Sequence, residues 1–183
     1  MMSIEFKNIV DVDQNLIELV RTWRNSKSVS QYMYTDHYIT PEEHQKWLAK
    51  LKKEDTARAW IINYHGKPVG LAYLSNIDHK NKTTEWGFYI GDKRVRGKGI
   101  GSAALYNLID YVFEDMKFNK MHTRVLENNP IAIKLYEKFG FIEEKRFKKQ
   151  VVRDGENIKV RLMTIFCQDW EKQKEKLKGM KYR

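Results

Sequence analysis

A basic, glycine-rich loop within residues 89–105 constrains this chain more than any other stretch. The residues before it, Thr83–Ile90, alternate and are rich in aromatic and β-branched side chains, which predicts a strand. The residues after it place apolar side chains at helical spacing. Glycines between the two let backbone N–H groups approach a ligand closely, and the positive end of the following helix favours an anion. The sequence therefore predicts a strand–loop–helix unit that binds a phosphate group.

The spacing of the glycines narrows the choice of phosphate motif. The chain contains no Gly-Lys followed by Ser or Thr, which excludes a Walker loop, and the dinucleotide-binding spacing does not fit. Residues 96–101 read RGKGIG, and this segment resembles the R-x-x-G-x-G signature of the GCN5-related N-acetyltransferases, the GNAT family. The alternative for the loop alone is a glycine-rich turn with solvated charges.

A second segment strengthens the resemblance to the same family. Residues 129–132 read NPIA and residues 135–141 read LYEKFGF, in the order and at the distance that the family shows after its phosphate loop. The resemblance implies an α/β (α+β) fold: one domain with a central, mostly antiparallel twisted sheet and helices on both faces. It also implies that two neighbouring parallel strands, ending here at Ile90 and Leu126, splay apart to admit a pantetheine arm.

The family resemblance implies acetyl-coenzyme A as the cosubstrate. The loop amides would bind its pyrophosphate, and backbone groups of Phe88 and Ile90, left unpaired by the splay, would bond the pantetheine. Asn129 would bond the pantetheine, cap a helix, or do both. The predicted coenzyme-binding residues are Phe88, Ile90, Arg94, Arg96, Gly97, Lys98, Gly99, Ile100, Gly101, Ser102, Asn129, Ala132 and Tyr136.

Acyl transfer to an amine needs a proton acceptor for the amine and a proton donor for the departing thiolate. The resemblance assigns the donor to Tyr136, whose alternative role is packing in the core beside Phe139. Glu85, on the strand before the loop, is the candidate base acting through a water, and its alternative is an exposed strand carboxylate.

The N-terminal third of the chain points to the acceptor. Its pattern R-N…V…M…I-T…E-H…W-L resembles the nucleotide-sugar acetyltransferases of the pseudaminic acid pathway, which implies acetylation of the 4-amino group of a UDP-linked amino sugar. Arg24 would meet a UDP phosphate, while Trp23 is a candidate for base or sugar stacking or else packs in the core. His44 either contributes to the site or is a satisfied core histidine. The predicted substrate-binding residues are Trp23, Arg24, Asn25, Tyr38 and His44.

Other functions remain open from sequence. A ribosomal-protein-type N-terminal acetyltransferase shares the same coenzyme motifs, and a non-catalytic acetyl-coenzyme A-binding module would keep the fold without turnover. The net charge of +10 suits an anionic ligand, but no aromatic-interleaved basic motif indicates nucleic acid. We therefore expect a small-molecule amine acceptor and no nucleic-acid partner, and a homodimer is left open.

Composition and length set further expectations. The 183 residues, 42% hydrophobic, suit one domain, which we place at residues 1–170 and follow with a basic tail at 171–183. No apolar run reaches the length of a membrane span, and the first residues lack a signal-peptide pattern. Cys167 is the only cysteine, and the five histidines show no ligand spacing, so we expect no metal and a cytoplasmic location.

Three local patterns also predict structure. Thr40, Pro41 and Glu43 predict a helix start with a capping box. Residues 65–68 predict a hairpin turn between two strands. Residues 141–147 and 157–166 predict two late strands that are joined by a turn at Asp154 and Gly155.

Overall fold

A computed structural model describes residues 4–153 and 155–177, apart from the side chains of residues 148–150. The strands are β1 (Ile4–Asn8), β2 (Arg58–Tyr64), β3 (Lys67–Asp78), β4 (Thr83–Ile90), β5 (Lys120–Leu126), β6 (Ile142–Arg153) and β7 (Glu156–Phe166). The helices are α1 (Gln14–Asn25), α2 (Lys27–Ser30), α3 (Pro41–Lys53), α4 (Ile100–Asp110), α5 (Pro130–Lys138) and α6 (Cys167–Leu177). Short 3₁₀ turns cover Ile9–Asp11 and Lys93–Val95, and α4 continues into a π turn at Tyr111–Asp115.

The strands form one seven-stranded sheet in the order β1-β2-β3-β4-β5-β7-β6. Only β4 and β5 run parallel, and the other neighbours pair antiparallel. A parallel pair needs a long crossover, and here the phosphate loop and α4 supply it. The predicted fold class is thereby confirmed.

The parallel pair separates part of the way along its length. β4 and β5 are in register only from Thr83 opposite Lys120 to Glu85 opposite His122. Beyond these pairs β4 continues to Ile90 and β5 to Leu126 without pairing to each other. The edges of the two strands that face this gap therefore have backbone groups that need other partners. The predicted splay is confirmed.

A hydrophobic core lies on each face of the sheet. On one face α4, α5 and α6 pack on the strands around Trp86, Phe139 and Trp170. On the other face α1, α2 and α3 pack over β2 and β3 around Val20, Leu48 and other aliphatic residues. The two cores bury opposite faces of the same strands, as expected for a sheet between two layers of helices. The gap between β4 and β5 connects the two faces.

Several local predictions agree with the structure, and others needed tertiary information. The capping box of Thr40 and Glu43 is present. The turn of the β2–β3 hairpin is shorter than predicted: it consists of His65 and Gly66, both at positive φ, and β3 already begins at Lys67. Such two-residue turns match the twist of the strands that they join.

The C-terminal part of the chain also differs in its bounds. β6 extends to Arg153, well past the predicted end at residue 147, because its pairing with β7 continues after an irregularity between Phe147 and Val151. The predicted domain limit at residue 170 falls inside α6, whose Leu177 is buried in the core. Residues 178–183 of the predicted tail lie outside the described residues. Across residues 4–153 and 155–177, none of the helices has the length and apolar character to cross a membrane.

Candidate active site

The glycines of the phosphate loop have the geometry that close ligand approach requires. Gly97 and Gly99 lie at φ +77° and +81°, a region that L side chains rarely adopt, and Gly99 is the N-cap of α4. A Cβ added at Gly97 would meet no protein atom within 4 Å. The space beside this backbone is therefore available to a ligand at the positive end of α4, which fits a pyrophosphate.

The cations of the loop differ in their engagement. Arg94 forms a bidentate pair with Asp92, from Nε to Oδ1 and from Nη2 to Oδ2. This pair lowers the pKa of Asp92 to about 2, and it neutralises part of the charge of Arg94. Arg96 donates to the Ile90 carbonyl from Nη2 at 2.8 Å and from Nε at 3.2 Å. The Ile90 carbonyl, which the sequence predicted to be free for pantetheine, is thus bonded within the protein. Lys98 is exposed.

A cavity of about 400 Å³ lies between this loop, α2 and α5. Most of the predicted coenzyme-binding residues line it: Phe88, Ile90, Arg96, Gly97, Gly99, Ile100, Gly101, Asn129, Ala132 and Tyr136. Arg94, Lys98 and Ser102 do not line it. The Asn129 Oδ1 accepts from the Ala132 N–H at 3.2 Å, so Asn129 caps α5 while it also faces the cavity.

Tyr136 lies where this cavity meets the gap in the sheet. It lines both the coenzyme cavity and a second cavity of about 320 Å³, the splay cleft, between β4 and β5. Its ring packs edge-on against Trp86 with centroids 5.0 Å apart. Burial raises the pKa of its hydroxyl. The residue is therefore both a core side chain and a protonated hydroxyl beside the gap.

Glu85 lines the splay cleft, at the last position of β4 that pairs with β5. Its Oε2 accepts a hydrogen bond from the Asn76 Nδ2 at 2.9 Å, and its Oε1 is 3.7 Å from the Arg124 Nη1. Its side chain is 16% exposed. A carboxylate in this position can receive a proton that leaves a group bound in the cleft.

A third cavity, of about 380 Å³, opens on the face that α1 and α3 cover. We call it the acceptor cavity, and it is lined by Val20, Arg24, Met33, Tyr34, Thr35, His37, Ile39, Glu43, His44, Trp47, Leu71, Tyr73 and Tyr89. It shares Met33, Tyr34 and Tyr73 with the splay cleft. The three cavities together form a path from the phosphate loop, past the open strands, to the N-terminal helices.

Arg24 supplies the main cation of the acceptor cavity. Its Nη2 donates to the Thr35 carbonyl at 2.8 Å and to the Thr35 Oγ1 at 3.1 Å. Its Nη1 is buried and forms no hydrogen bond to any of the described residues. Burial lowers the pKa of the guanidinium from its usual value, but the group stays charged at neutral pH. A cation with a buried, unused donor is prepared to bind an anion.

The other predicted substrate-binding residues divide into two groups. His44 lines the acceptor cavity, is stacked on Trp47, and has its pKa lowered by burial and by Arg21. Trp23, Asn25 and Tyr38 do not line it. Trp23 packs against Gly91, the Asn25 amide bonds both backbone groups of Ile39, and the Tyr38 hydroxyl accepts from Arg21. Asn25 and Tyr38 therefore hold residues 31–40, the segment that covers the cavity, against α1, whereas Trp23 packs at the end of β4.

Tyr73 is one of the cavity-lining residues that sequence reasoning missed. It lies on β3 opposite Gly87 and lines both the acceptor cavity and the splay cleft. Its strand was predicted, but one tyrosine among ten in the chain carries no motif. The glycine opposite it was the one available signal, since glycine inside a strand often marks close approach of another group.

The chain is similar to known acetyltransferases in both sequence and fold. The model of the acetyltransferase (GNAT) family matches residues 18–141. Acetyltransferase PseH from Campylobacter jejuni is 31% identical over 138 residues, which are 75% of this chain and 84% of that protein. The putative ribosomal N-acetyltransferase YdaF from Bacillus subtilis is 30% identical over 111 residues, 61% of this chain and 60% of that protein. The crystal structure of spermidine N-acetyltransferase from Vibrio cholerae in complex with CoA and spermine superposes with a TM-score of 0.84 at 20% identity, covering 92% of this chain and 98% of that chain.

Among the described residues no cluster of His, Cys, Asp and Glu could hold a metal ion.

Proposed function

Because this chain belongs to the GNAT family of acetyltransferases, we propose that it transfers an acetyl group from acetyl-coenzyme A to the 4-amino group of a UDP-linked amino sugar. The family assigns the reaction class, acetyl-coenzyme A-dependent acetylation of an amine. The acceptor is our proposal. It is supported by the N-terminal pattern of the sequence and by the similarity to acetyltransferase PseH. We also propose that the enzyme works in the cytoplasm.

The charge of the acceptor cavity is the observation that carries this proposal. Arg24, which lines the cavity, presents a buried, unused donor. The one carboxylate that lines it, Glu43, accepts from the Thr40 N–H at 2.8 Å and lies 3.3 Å from the His37 Nε2. A cavity with an unused guanidinium donor and an engaged carboxylate suits a diphosphate.

The same charge pattern argues against a polyamine acceptor. Spermidine is itself a polycation, and burying it beside Arg24 without free carboxylates would be unfavourable. The structural likeness to the spermidine N-acetyltransferase, at 20% identity, concerns the fold. The aromatic side chains of Tyr34 and Trp47 line the same cavity and offer faces for a sugar or a base.

The residues divide the chemical work between the cavities. Acetyl-coenzyme A supplies the acetyl group as a thioester. The loop from Arg96 to Gly101 and the Asn129 side chain would hold it, with its arm in the gap between β4 and β5. Glu85, through a water, would take the proton from the acceptor amine, and the Tyr136 hydroxyl would give its proton to the sulfur. The raised pKa of Tyr136 keeps that proton in place at neutral pH.

A thermal-shift experiment tests the acceptor class without turnover. We expect UDP and a UDP-amino sugar to raise the melting temperature of the acetyl-coenzyme A-saturated protein, because a ligand that binds only the folded state stabilises it. Spermidine and an alanine-initiated peptide should leave it unchanged. The Arg24→Ala variant is the matched control and should lose the response to UDP. Stabilisation by spermidine alone, or by the peptide alone, would refute the proposed acceptor, the second in favour of a ribosomal-protein-type acetyltransferase.

A further inference from the structure

Tyr73 occupies the junction between the acceptor cavity and the splay cleft. It is directly opposite Gly87 in the β3–β4 pairing. A Cβ built on Gly87 would lie 2.3 Å from the Tyr73 hydroxyl oxygen and 2.4 Å from its Cζ. The ring therefore crosses from β3 onto β4, and its hydroxyl end occupies the place where any other residue at position 87 would carry its side chain.

Gly87 lies on β4 just beyond the point where this strand separates from β5. The pairing of β4 with β5 ends at Glu85, and Gly87 follows two residues later on the same face of the strand. The Tyr73 hydroxyl thus reaches the first stretch of β4 that has separated from β5. Along with Met33 and Tyr34, Tyr73 lines both cavities, but it alone of the three belongs to the sheet.

The Tyr73 hydroxyl interacts electrostatically with Arg24, Glu85 and Tyr136, the three groups to which we assign roles in the reaction. Burial raises the pKa of Tyr73, Glu85 raises it further, and Arg24 opposes both. The Tyr73 hydroxyl in turn contributes to the raised pKa of Tyr136. Tyr73 therefore lies among the candidate anion-binding cation, base and acid, and it remains a neutral hydroxyl that can accept one hydrogen bond while donating another.

We propose that the Tyr73 hydroxyl binds the acceptor amine, accepts a hydrogen bond from one of its N–H groups, and so fixes the amine over Gly87 at the opening between β4 and β5. This role rests on the proposed use of the acceptor cavity, whichever amine enters it. An amine held in this way keeps its lone pair directed into the gap, and Glu85 on the same strand is left to receive the proton. Correct placement of a nucleophile is worth large factors in rate.

The main test compares Tyr73→Phe with Tyr64→Phe. Both substitutions remove one hydroxyl and keep the ring, but Tyr64 lies on β2 and lines none of the three cavities. With the amine that the wild type acetylates fastest, chosen from a UDP-amino sugar, spermidine and an alanine-initiated peptide, Tyr73→Phe should lower kcat roughly 10- to 100-fold. The KM for acetyl-coenzyme A should stay unchanged, and Tyr64→Phe should behave as the wild type.

A second variant separates hydroxyl position from hydroxyl presence. Gly87→Ala keeps the Tyr73 hydroxyl but places a methyl group where it now lies, so it too should lower kcat, with the melting temperature recorded beside it. Wild-type turnover in Tyr73→Phe would overturn the proposal, and so would an equal loss of acetyl-coenzyme A affinity. A preference for spermidine or the peptide would refute the UDP-sugar acceptor while the Tyr73 comparison is still made on the preferred amine.

Discussion

Arg124 on β5 faces Glu85 on β4 across the point where the two strands separate, with 3.7 Å between its Nη1 and the Glu85 Oε1. Asn76 holds the other carboxylate oxygen at 2.9 Å. Two partners from different strands therefore fix the Glu85 carboxylate in the wall of the splay cleft. Because the Arg124 side chain is 43% exposed and the contact is long, the ion pair contributes little stability by itself, so we interpret the arrangement as positioning.

The first prediction concerns this carboxylate. Glu85→Gln keeps the shape of the side chain and removes its ability to take a proton, so turnover should fall by roughly 10²–10⁴-fold if Glu85 is the base. Steady-state rates at saturating acceptor measure the effect, and Asn76→Ala is the control for lost positioning, with a smaller fall. Full activity of the Gln variant would show that water alone carries the amine proton away.

Tyr136→Phe tests the proposed acid. The ring and its contact with Trp86 are kept, while the hydroxyl is lost. Turnover should fall by roughly 10²–10⁴-fold, with acetyl-coenzyme A affinity nearly unchanged, because the interaction strengthens mainly in the transition state. Kinetics at saturating acceptor and calorimetry with acetyl-coenzyme A measure the two quantities. Wild-type turnover would leave Tyr136 with a packing role only.

Gly97 and Gly66 form a matched pair for the phosphate loop. Both have positive φ, and a Cβ at either would meet no protein atom within 4 Å, so alanine at each should cost a similar backbone strain of about 1–2 kcal/mol. Gly97→Ala should in addition weaken acetyl-coenzyme A binding, since its methyl group would enter the coenzyme cavity. Calorimetry and thermal denaturation distinguish the two effects. Equal coenzyme affinity in both variants would place the pyrophosphate elsewhere.

The buried His44 makes stability depend on pH. Its folded-state pKa is lowered by burial, so below the ordinary value of 6.5 the unfolded chain binds a proton that the folded chain resists. The free energy of unfolding should therefore decrease as the pH falls from 7 toward 5. His44→Phe keeps a ring on Trp47 and should reduce this slope, by no more than about 1.4 kcal/mol per pH unit. His122, whose pKa is also lowered, should account for part of the remainder. Urea denaturation of the wild type and of His44→Phe at several pH values measures this slope. An equal slope in the two proteins would contradict the assigned role of His44.

The features that could be predicted from the sequence are those that a short, local pattern encodes. The capping box of Thr40 and Glu43 needs four consecutive residues, and the glycine loop needs six. The coenzyme cavity beside the loop could be expected because the loop matches a motif of a family that binds acetyl-coenzyme A. What could not be expected are two side-chain placements: Arg96 folds back to bond the Ile90 carbonyl, and the Tyr73 ring on β3 lies over Gly87 on the neighbouring strand β4. These depend on register and on side-chain direction, which periodicity does not specify.

The N-terminal predictions illustrate the same limit. Arg24 and His44 face the acceptor cavity, whereas Asn25 is bonded on both sides to Ile39 of the segment that covers it. All three residues belong to one sequence pattern. Their helix positions are known from spacing, but which side chain meets the cavity depends on how residues 31–40 fold back over α1. The pattern therefore indicated the region and did not separate the residues that line the cavity from those that support it.

The most direct test of the account is the ratio of kcat/KM for a UDP-linked 4-amino sugar to kcat/KM for spermidine, measured on the wild type and on Arg24→Ala with acetyl-coenzyme A saturating. Acetylated products are quantified by mass spectrometry. If the acceptor is a UDP-linked amino sugar, this ratio should be well above one in the wild type. In Arg24→Ala it should fall by roughly 10- to 150-fold, the loss of a charge-assisted contact of about 1.5–3 kcal/mol, with the KM for acetyl-coenzyme A unchanged. A wild-type ratio below one, or a ratio that Arg24→Ala leaves unaltered, would contradict it.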